Sequence, residues 1–153
     1  MFTGKAAVVA AVAGLGLAAP SATTASGTSL HLVAHVTQGV VRGPGNSQQS
    51  LGATQIGSGD LTDSRGHAVG TFAFTCVSVR VHSGYVDEQC SSWGALTGGQ
   101  LLLAGKSRSN EDRHTWAVTG GTGAYRSARG EARLVDVNDH ETIVDVTLAP
   151  AAR

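Results

Sequence analysis

Along Leu30–Val36 the chain alternates, with Leu30, Leu32, Ala34 and Val36 on one side and His31, Val33 and His35 on the other. A period of two belongs to a β-strand, whose successive side chains point to opposite faces. The pattern weakens over Gln55–Thr62, stops at the turn Asp63-Ser64-Arg65-Gly66, and resumes in Ala68–Val81, rich in Thr, Val and Phe. Trp93–Ala104 extends it, with Gly94, Gly98 and Gly99 read as bulges or close-packing points. His114–Thr119, Gly130–Val137 and Glu141–Leu148 complete the set. Arg42–Ser50 is a loop by composition, Val81–Gln89 a polar connection, Lys106–Asp112 a charged turn and Asn138-Asp139 a tight one. No stretch carries an apolar stripe of helical period. Seven or eight strands at hairpin spacing predict an all-β domain, a closed antiparallel barrel or a sandwich. Closure also removes the edges that an open sheet must protect.

The segment Trp116–Leu134, WAVTGGTGAYRSARGEARL, admits two readings. Gly120-Gly121-Thr122-Gly123 after a strand imitates a loop whose backbone amides cradle a pyrophosphate at a helix start. Against this, Ala124-Tyr125-Arg126 follows in place of a closing glycine, and no helical stripe comes next. Only 30 residues remain after Gly123, about one βαβ unit and too few to complete a doubly wound sheet. The preferred reading is a tight turn, in which glycines supply the conformations a chain reversal needs.

Composition places the chain in a compartment. Lys5, the apolar run Ala6–Ala19 and the small residues after Pro20 read as a secretory leader over residues 1–25, cleaved after Ala25. The apolar run is shorter than the roughly 20 residues that span a bilayer, so no membrane association is expected of the mature chain. Residues 26–153 then form a single domain, large enough for a real core. Without Lys5, 10 basic residues stand against 11 acidic ones, so nothing marks a nucleic-acid partner. Cys76 and Cys90 enclose 13 residues, and export makes a structural disulfide the favoured reading over a redox pair or metal site.

The histidines do not have metal-ligand spacing. His31 and His35 stand about 13 Å apart along a strand, too far for one zinc to bind both. His67, His82, His114 and His140 are isolated in sequence, so no metal and no cofactor is expected. No GxSxG motif supports hydrolase chemistry.

Two stretches, GDLTDSRGHAVGTFAFTC at Gly59–Cys76 and VTGGTGAYRSARGEARL at Val118–Leu134, carry a family resemblance. The chain resembles the allene oxide cyclase barrel-like superfamily, which includes the dirigent proteins, and its secreted bacterial members in particular. The resemblance spans roughly Leu30–Leu148 and is sharpest in the C-terminal motif. It implies an eight-stranded antiparallel β-barrel with a lumen for an apolar or phenolic small molecule, often as a homotrimer. It also implies cyclase or isomerase chemistry, or guidance of phenoxy-radical coupling. Arg129 matches the arginine of the dirigent ARG tripeptide. The His-Asp pair that ends the first strand of dirigents is His35-Val36 here, so that carboxylate is missing. Asp60 and Glu131 are the candidates for the carboxylate that the cyclase chemistry uses.

The aromatic residues Phe72 and Phe74 share a strand face, and with Trp116 and Tyr125 they are the candidate ligand-binding set. Alternation puts Glu131 and Arg133 on one face and Glu141 with Asp145 on another; the preferred reading is a solvated exterior, with Arg133 and Asp145 as a cross-strand surface pair. The expected function is a secreted barrel that binds a small molecule and acts on it as a cyclase, isomerase or coupling guide. The alternative is a structural protein with a filled barrel. A ligand-sized cavity with Arg129 or Glu131 pointing into it favours the first, and a lumen closed by Phe72, Phe74 and Leu101–Leu103 the second.

Overall fold

The computed structural model describes residues 27–44 and 47–150, and the leader reading over residues 1–25 lies outside them. Eight strands run β1 (Ser29–Arg42), β2 (Thr54–Thr62), β3 (Ala68–His82), β4 (Tyr85–Leu96), β5 (Gly99–Arg108), β6 (Arg113–Gly121), β7 (Gly130–Asn138) and β8 (Glu141–Leu148). Each pairs antiparallel with the next, and β8 returns to β1 along Ser29↔Thr147 through His35↔Glu141. The sheet is therefore a closed barrel rather than a sandwich.

Several boundaries differ from expectation: β1 runs past Val36 to Arg42, and β5 takes in Lys106–Arg108 from the expected charged turn. Trp93–Ala104 is a hairpin, the end of β4 and the start of β5, turned at Thr97-Gly98. An apolar run with glycines in it looks the same whether the glycines bulge a strand or reverse it. The polar stretch Val81–Gln89 is also a hairpin: the turn is only Ser83-Gly84, and Val86 is fully buried.

Alternation and closure sort the side chains. Leu32, Ala34, Leu61, Phe72, Leu101, Val118, Ala132, Val144 and Val146 point inward and form one buried cluster. Most of it lies at the end of the barrel where the chain enters β1 and leaves β8. Burying a Leu, Val or Phe side chain contributes roughly 1.5–3 kcal/mol, so this end holds the barrel together. His31, Glu131, Arg133 and Asp145 stay outside, and Arg133 faces Asp145 across β7 and β8 as alternation required. The Asp145 carboxylate is in fact taken by His31 from β1.

The glycine-dense segment closes the apolar end. Its short 3-10 turn, Gly123–Tyr125, docks on the β4–β5 hairpin, where the Ala124 amide donates to Gly98 O at 2.9 Å and the Thr122 amide to Gln100 O at 2.9 Å. The Tyr125, Arg126 and Ala128 amides are bonded within the segment. A phosphate cradle needs free amides, so the turn reading holds. Gly123 has φ +57°, and a Cβ there would overlap Gly98 O, which is why the position requires glycine.

Cys76 and Cys90 are directly opposed on β3 and β4, with Cα atoms 4.1 Å apart, and form a disulfide. In the chain-entropy account, closing a loop of this length is worth about 3 kcal/mol. The double variant Cys76→Ala/Cys90→Ala is expected to lose about that much stability in urea unfolding while keeping its β-sheet circular dichroism. A loss under about 1 kcal/mol would show that the bond is not a stabilising staple.

Candidate functional site

The barrel interior is not filled. A cavity of about 680 Å³ lies above the apolar cluster, bounded by Phe72, Phe74, Leu101 and Leu103 on one side and Leu134 and Val144 on the other. These side chains line a space rather than close it. The turns after β5 (Ser109, Glu111, Asp112) and β7 (Asp139), with Gln48 from the long β1–β2 loop, border its mouth. The lumen is thus apolar at its floor and polar at its opening.

Trp116 forms the wall between the two zones. It points inward from β6, 5 % exposed, and its Nε1–H donates to Ser107 Oγ at 3.2 Å. The indole lies against β5 where the chain has Gly105, since a Cβ at Gly105 would overlap the ring. It also packs against the Cys76–Cys90 disulfide. A rigid aromatic plate is thereby fixed beside the polar zone.

Glu88 is the group that stands out there. It follows β4 inward between Val86 and Cys90, is only 8 % exposed, and lines the cavity. Among the described residues, no hydrogen bond or ion pair engages its carboxylate. Burial raises its pKa above the ordinary 4.5, with the charge of His114 pulling the other way. Burial favours the protonated form, so this carboxyl is a stronger proton acceptor than a solvated one, which is what a general base needs. The Glu88 carboxylate and both cysteine sulfurs lie within 4.8 Å of one another. The sulfurs are bonded to each other, and only thiolates ligate a metal well, so the trio is an environment for Glu88 and not a metal centre.

Across the lumen, His114 Nε2 lies 3.5 Å from Asp136 Oδ2, and Thr142 Oγ1 donates to Asp136 Oδ1 at 2.7 Å. The hydrogen bond to Asp136 raises the His114 pKa. Burial pushes Asp136 up, but the bonds from His114 and Thr142 outweigh it and hold the carboxyl below its usual range. Outside the barrel near the mouth, the buried Asp87 meets His82 Nε2, Lys106 Nζ and Arg108 Nε, each at 3.1 Å, and lies far below the carboxylate range chiefly through His82. Arg108 continues over the Tyr85 ring at 4.9 Å and to Glu111 at 3.0 Å. That network fixes the rim formed by β3, β4 and β5.

The residues picked from sequence divide. Phe72, Phe74 and Trp116 line the cavity. Tyr125 is half-buried against the apolar cluster, on the closing turn rather than in the cavity wall. Arg129 is exposed and donates to Thr119 O and Ala128 O, while Asp60 and Glu131 are exposed on the outer face. None of those three borders the cavity. Val36 does line it, so the position that would carry a dirigent carboxylate faces the lumen with a methyl-bearing side chain. Glu88, His114 and Asp136 were not picked. The cross-strand disulfide is the signal that finds Glu88, because a lumenal Cys90 puts residue 88 on the same face.

No family model and no curated protein matches the chain. Solved structures do. A pyocyanin demethylase superposes with a TM-score of 0.72 at 23 % identity, covering 80 % of this chain and 100 % of that one. A pterocarpan synthase dirigent protein gives 0.61 at 21 % identity, covering 88 % and 96 %. An exo-specific intermolecular Diels–Alderase gives 0.64 at 15 % identity, covering 81 % and 100 %. The chain has the barrel fold of the dirigent and cyclase type. At these identities the likeness is one of fold, and the chemistry must be argued from this cavity.

The His114–Asp136 pair has a definite pH signature. A histidine with a raised pKa contributes stability fully below 6.5 and loses it as pH climbs through the raised value. An aspartate with a lowered pKa contributes above 3.8 and loses it as pH falls through the lowered value. The pair therefore contributes most between 3.8 and 6.5. Asp136 is 44 % exposed, so the pH-dependent part is worth about 0.5 kcal/mol. His114→Gln is expected to cost more stability at about pH 5 than at about pH 9 in urea unfolding, and an equal cost at both would show that the pair is not ionic.

Proposed function

We propose that this protein binds an apolar or phenolic small molecule in the barrel lumen and rearranges it by proton transfer through Glu88, as a cyclase or isomerase. The observation that carries this reading is a buried, unpartnered carboxyl with a raised pKa facing a cavity of about 680 Å³. The volume is within the 300–1,000 Å³ range of small-molecule sites. Apolar walls exclude water from the ligand, and Trp116 offers a flat face to an aromatic or conjugated portion. As its carboxylate, made a stronger base by burial, Glu88 takes a proton from the bound ligand and, as the acid so formed, returns it to the rearranged product. Proton count and oxidation state are unchanged over the cycle. Holding a flexible ligand folded in a rigid lumen supplies the rest of the acceleration through orientation.

The lumen of this barrel gives no support to a filled, purely structural role. A guiding role without acid catalysis, as in radical coupling, is favoured by Val36 standing where dirigents carry an acid, and it differs in making Glu88 dispensable. Export of the mature chain is part of the same reading, supported by the leader pattern at residues 1–25 and by the disulfide. A homotrimer is supported by the outer apolar face of β2, β4 and β5, where Ile56, Trp93 and Leu102 are 44, 41 and 39 % exposed.

Native mass spectrometry of protein purified from culture supernatant is expected to show a small molecule retained on the barrel. Leu103→Trp, which fills the cavity from its wall, should abolish retention. With the retained compound or its precursor as substrate, Glu88→Gln should lower turnover by about 10²–10⁴-fold while leaving binding largely intact. Turnover unchanged in Glu88→Gln would shift the reading to a guiding barrel, and no ligand retained on wild type would contradict lumenal binding.

A further inference from the structure

The charges around the cavity are one-sided. Among the described residues, five carboxylates border it, Glu88 inside and Glu111, Asp112, Asp136 and Asp139 around the mouth, against Arg108 and His114 as the groups that can be cationic. Both of those are already occupied. Arg108 is held by Asp87 at 3.1 Å and Glu111 at 3.0 Å, and His114 faces Asp136 at 3.5 Å. Among the described residues Glu88, Asp112 and Asp139 have no ion-pair partner. The deepest of them, Glu88, is more than nine-tenths buried and faces the cavity. The Glu88 carboxyl is not sealed off but opens on the cavity, where a ligand can supply the cation that the protein does not.

We infer that the lumen selects a ligand with an apolar aromatic body and a protonated nitrogen, an ammonium or a ring N–H⁺, with the nitrogen directed at Glu88 and the body on the apolar floor. This rests on the cavity being a binding site, as proposed above, and narrows what it admits. The mouth concentrates cations and repels anions on approach, since a cleft lined by one sign of charge focuses the field. Inside, the Glu88 carboxylate meets a cation in a low-dielectric setting where the attraction is larger than in water. The indole face of Trp116, packed on the disulfide beside Glu88, adds a quadrupole that favours the same sign. A carboxylate or phosphate ligand would meet Glu88 with no free cation to balance it. Long-chain fatty acid derivatives, which carry a carboxylate, are disfavoured on these grounds.

The test uses three probes of one shape and different charge: naphthylmethylammonium, naphthalenemethanol and naphthoate, titrated calorimetrically into the intact protein at neutral pH and low salt. The expected order is ammonium tighter than alcohol tighter than carboxylate, with about tenfold or more between the extremes. Glu88→Gln should lose about tenfold in ammonium affinity and leave the alcohol within about twofold, since it removes charge and keeps shape. Should this variant be poorly folded by circular dichroism, Asp112→Asn/Asp139→Asn on the exposed mouth serves instead, with the ammonium-to-carboxylate ratio expected to shrink. Alcohol binding with no preference for the ammonium over the carboxylate would overturn the charge selection and leave the binding site standing. Failure of all three probes to bind would overturn both.

Discussion

Pairing of β8 with β1 is the constraint from which the interior follows. Seven hairpin-type pairings between neighbouring strands make a twisted sheet with two faces, and only the eighth, from Ser29↔Thr147 to His35↔Glu141, turns one face into an inside. Once closed, alternate residues of each strand are lumenal between the register shifts such as those at Val36/Gln38 and Ser78/Arg80, and an eight-stranded barrel is just wide enough for side chains to fill it or for one small ligand to occupy it. Which happens depends on residue size at the inward positions. At one end they are Leu32, Leu61, Phe72 and Leu101, which meet across the axis. Toward the other they include Glu88, Ser92 and Ser107, which do not.

That gradient makes the same barrel stable and functional. The apolar end carries the hydrophobic contribution and is sealed by the Gly123–Tyr125 turn with Tyr125 and Ala128 beneath it. The polar end gives up some of that stabilisation to keep a cavity and a largely buried carboxyl facing it. The disulfide, Trp116 and the Asp87 network brace the open end against the loss. A buried Glu88 makes sense only if the lumen admits something that meets it, because an acid with a raised pKa weakens the fold as pH rises above 4.5.

Much of the fold was legible because period-two alternation survives without knowledge of tertiary structure. β2, β3, β6, β7 and β8 lie close to the expected segments, and the Arg133–Asp145 facing pair is consistent with alternation. The β4 boundaries were not legible. Asp87, Glu88 and Gln89 read as a solvated connection by composition, and Gly98-Gly99 gives the same signal for a bulge and a reversal. The site was hidden for the same reason. Phe72, Phe74 and Trp116 announce themselves as large apolar residues, whereas Glu88 and His114 become site residues only when closure turns their faces inward. Arg129, Asp60 and Glu131 were selected by likeness to a motif, which carries no information about the face a residue occupies, and all three are exposed.

The central claim is that Glu88 faces the lumen and that its partial burial there raises its pKa. The direct measurement is a carbon-13 NMR pH titration of the glutamate side-chain carboxyls, with Glu88 assigned by its loss in Glu88→Gln. The account predicts a Glu88 midpoint clearly above 4.5, moving down when a cationic aromatic probe is added. A midpoint at or below 4.5, unmoved by the probe, would mean that Glu88 is solvated or already partnered, and would contradict the account.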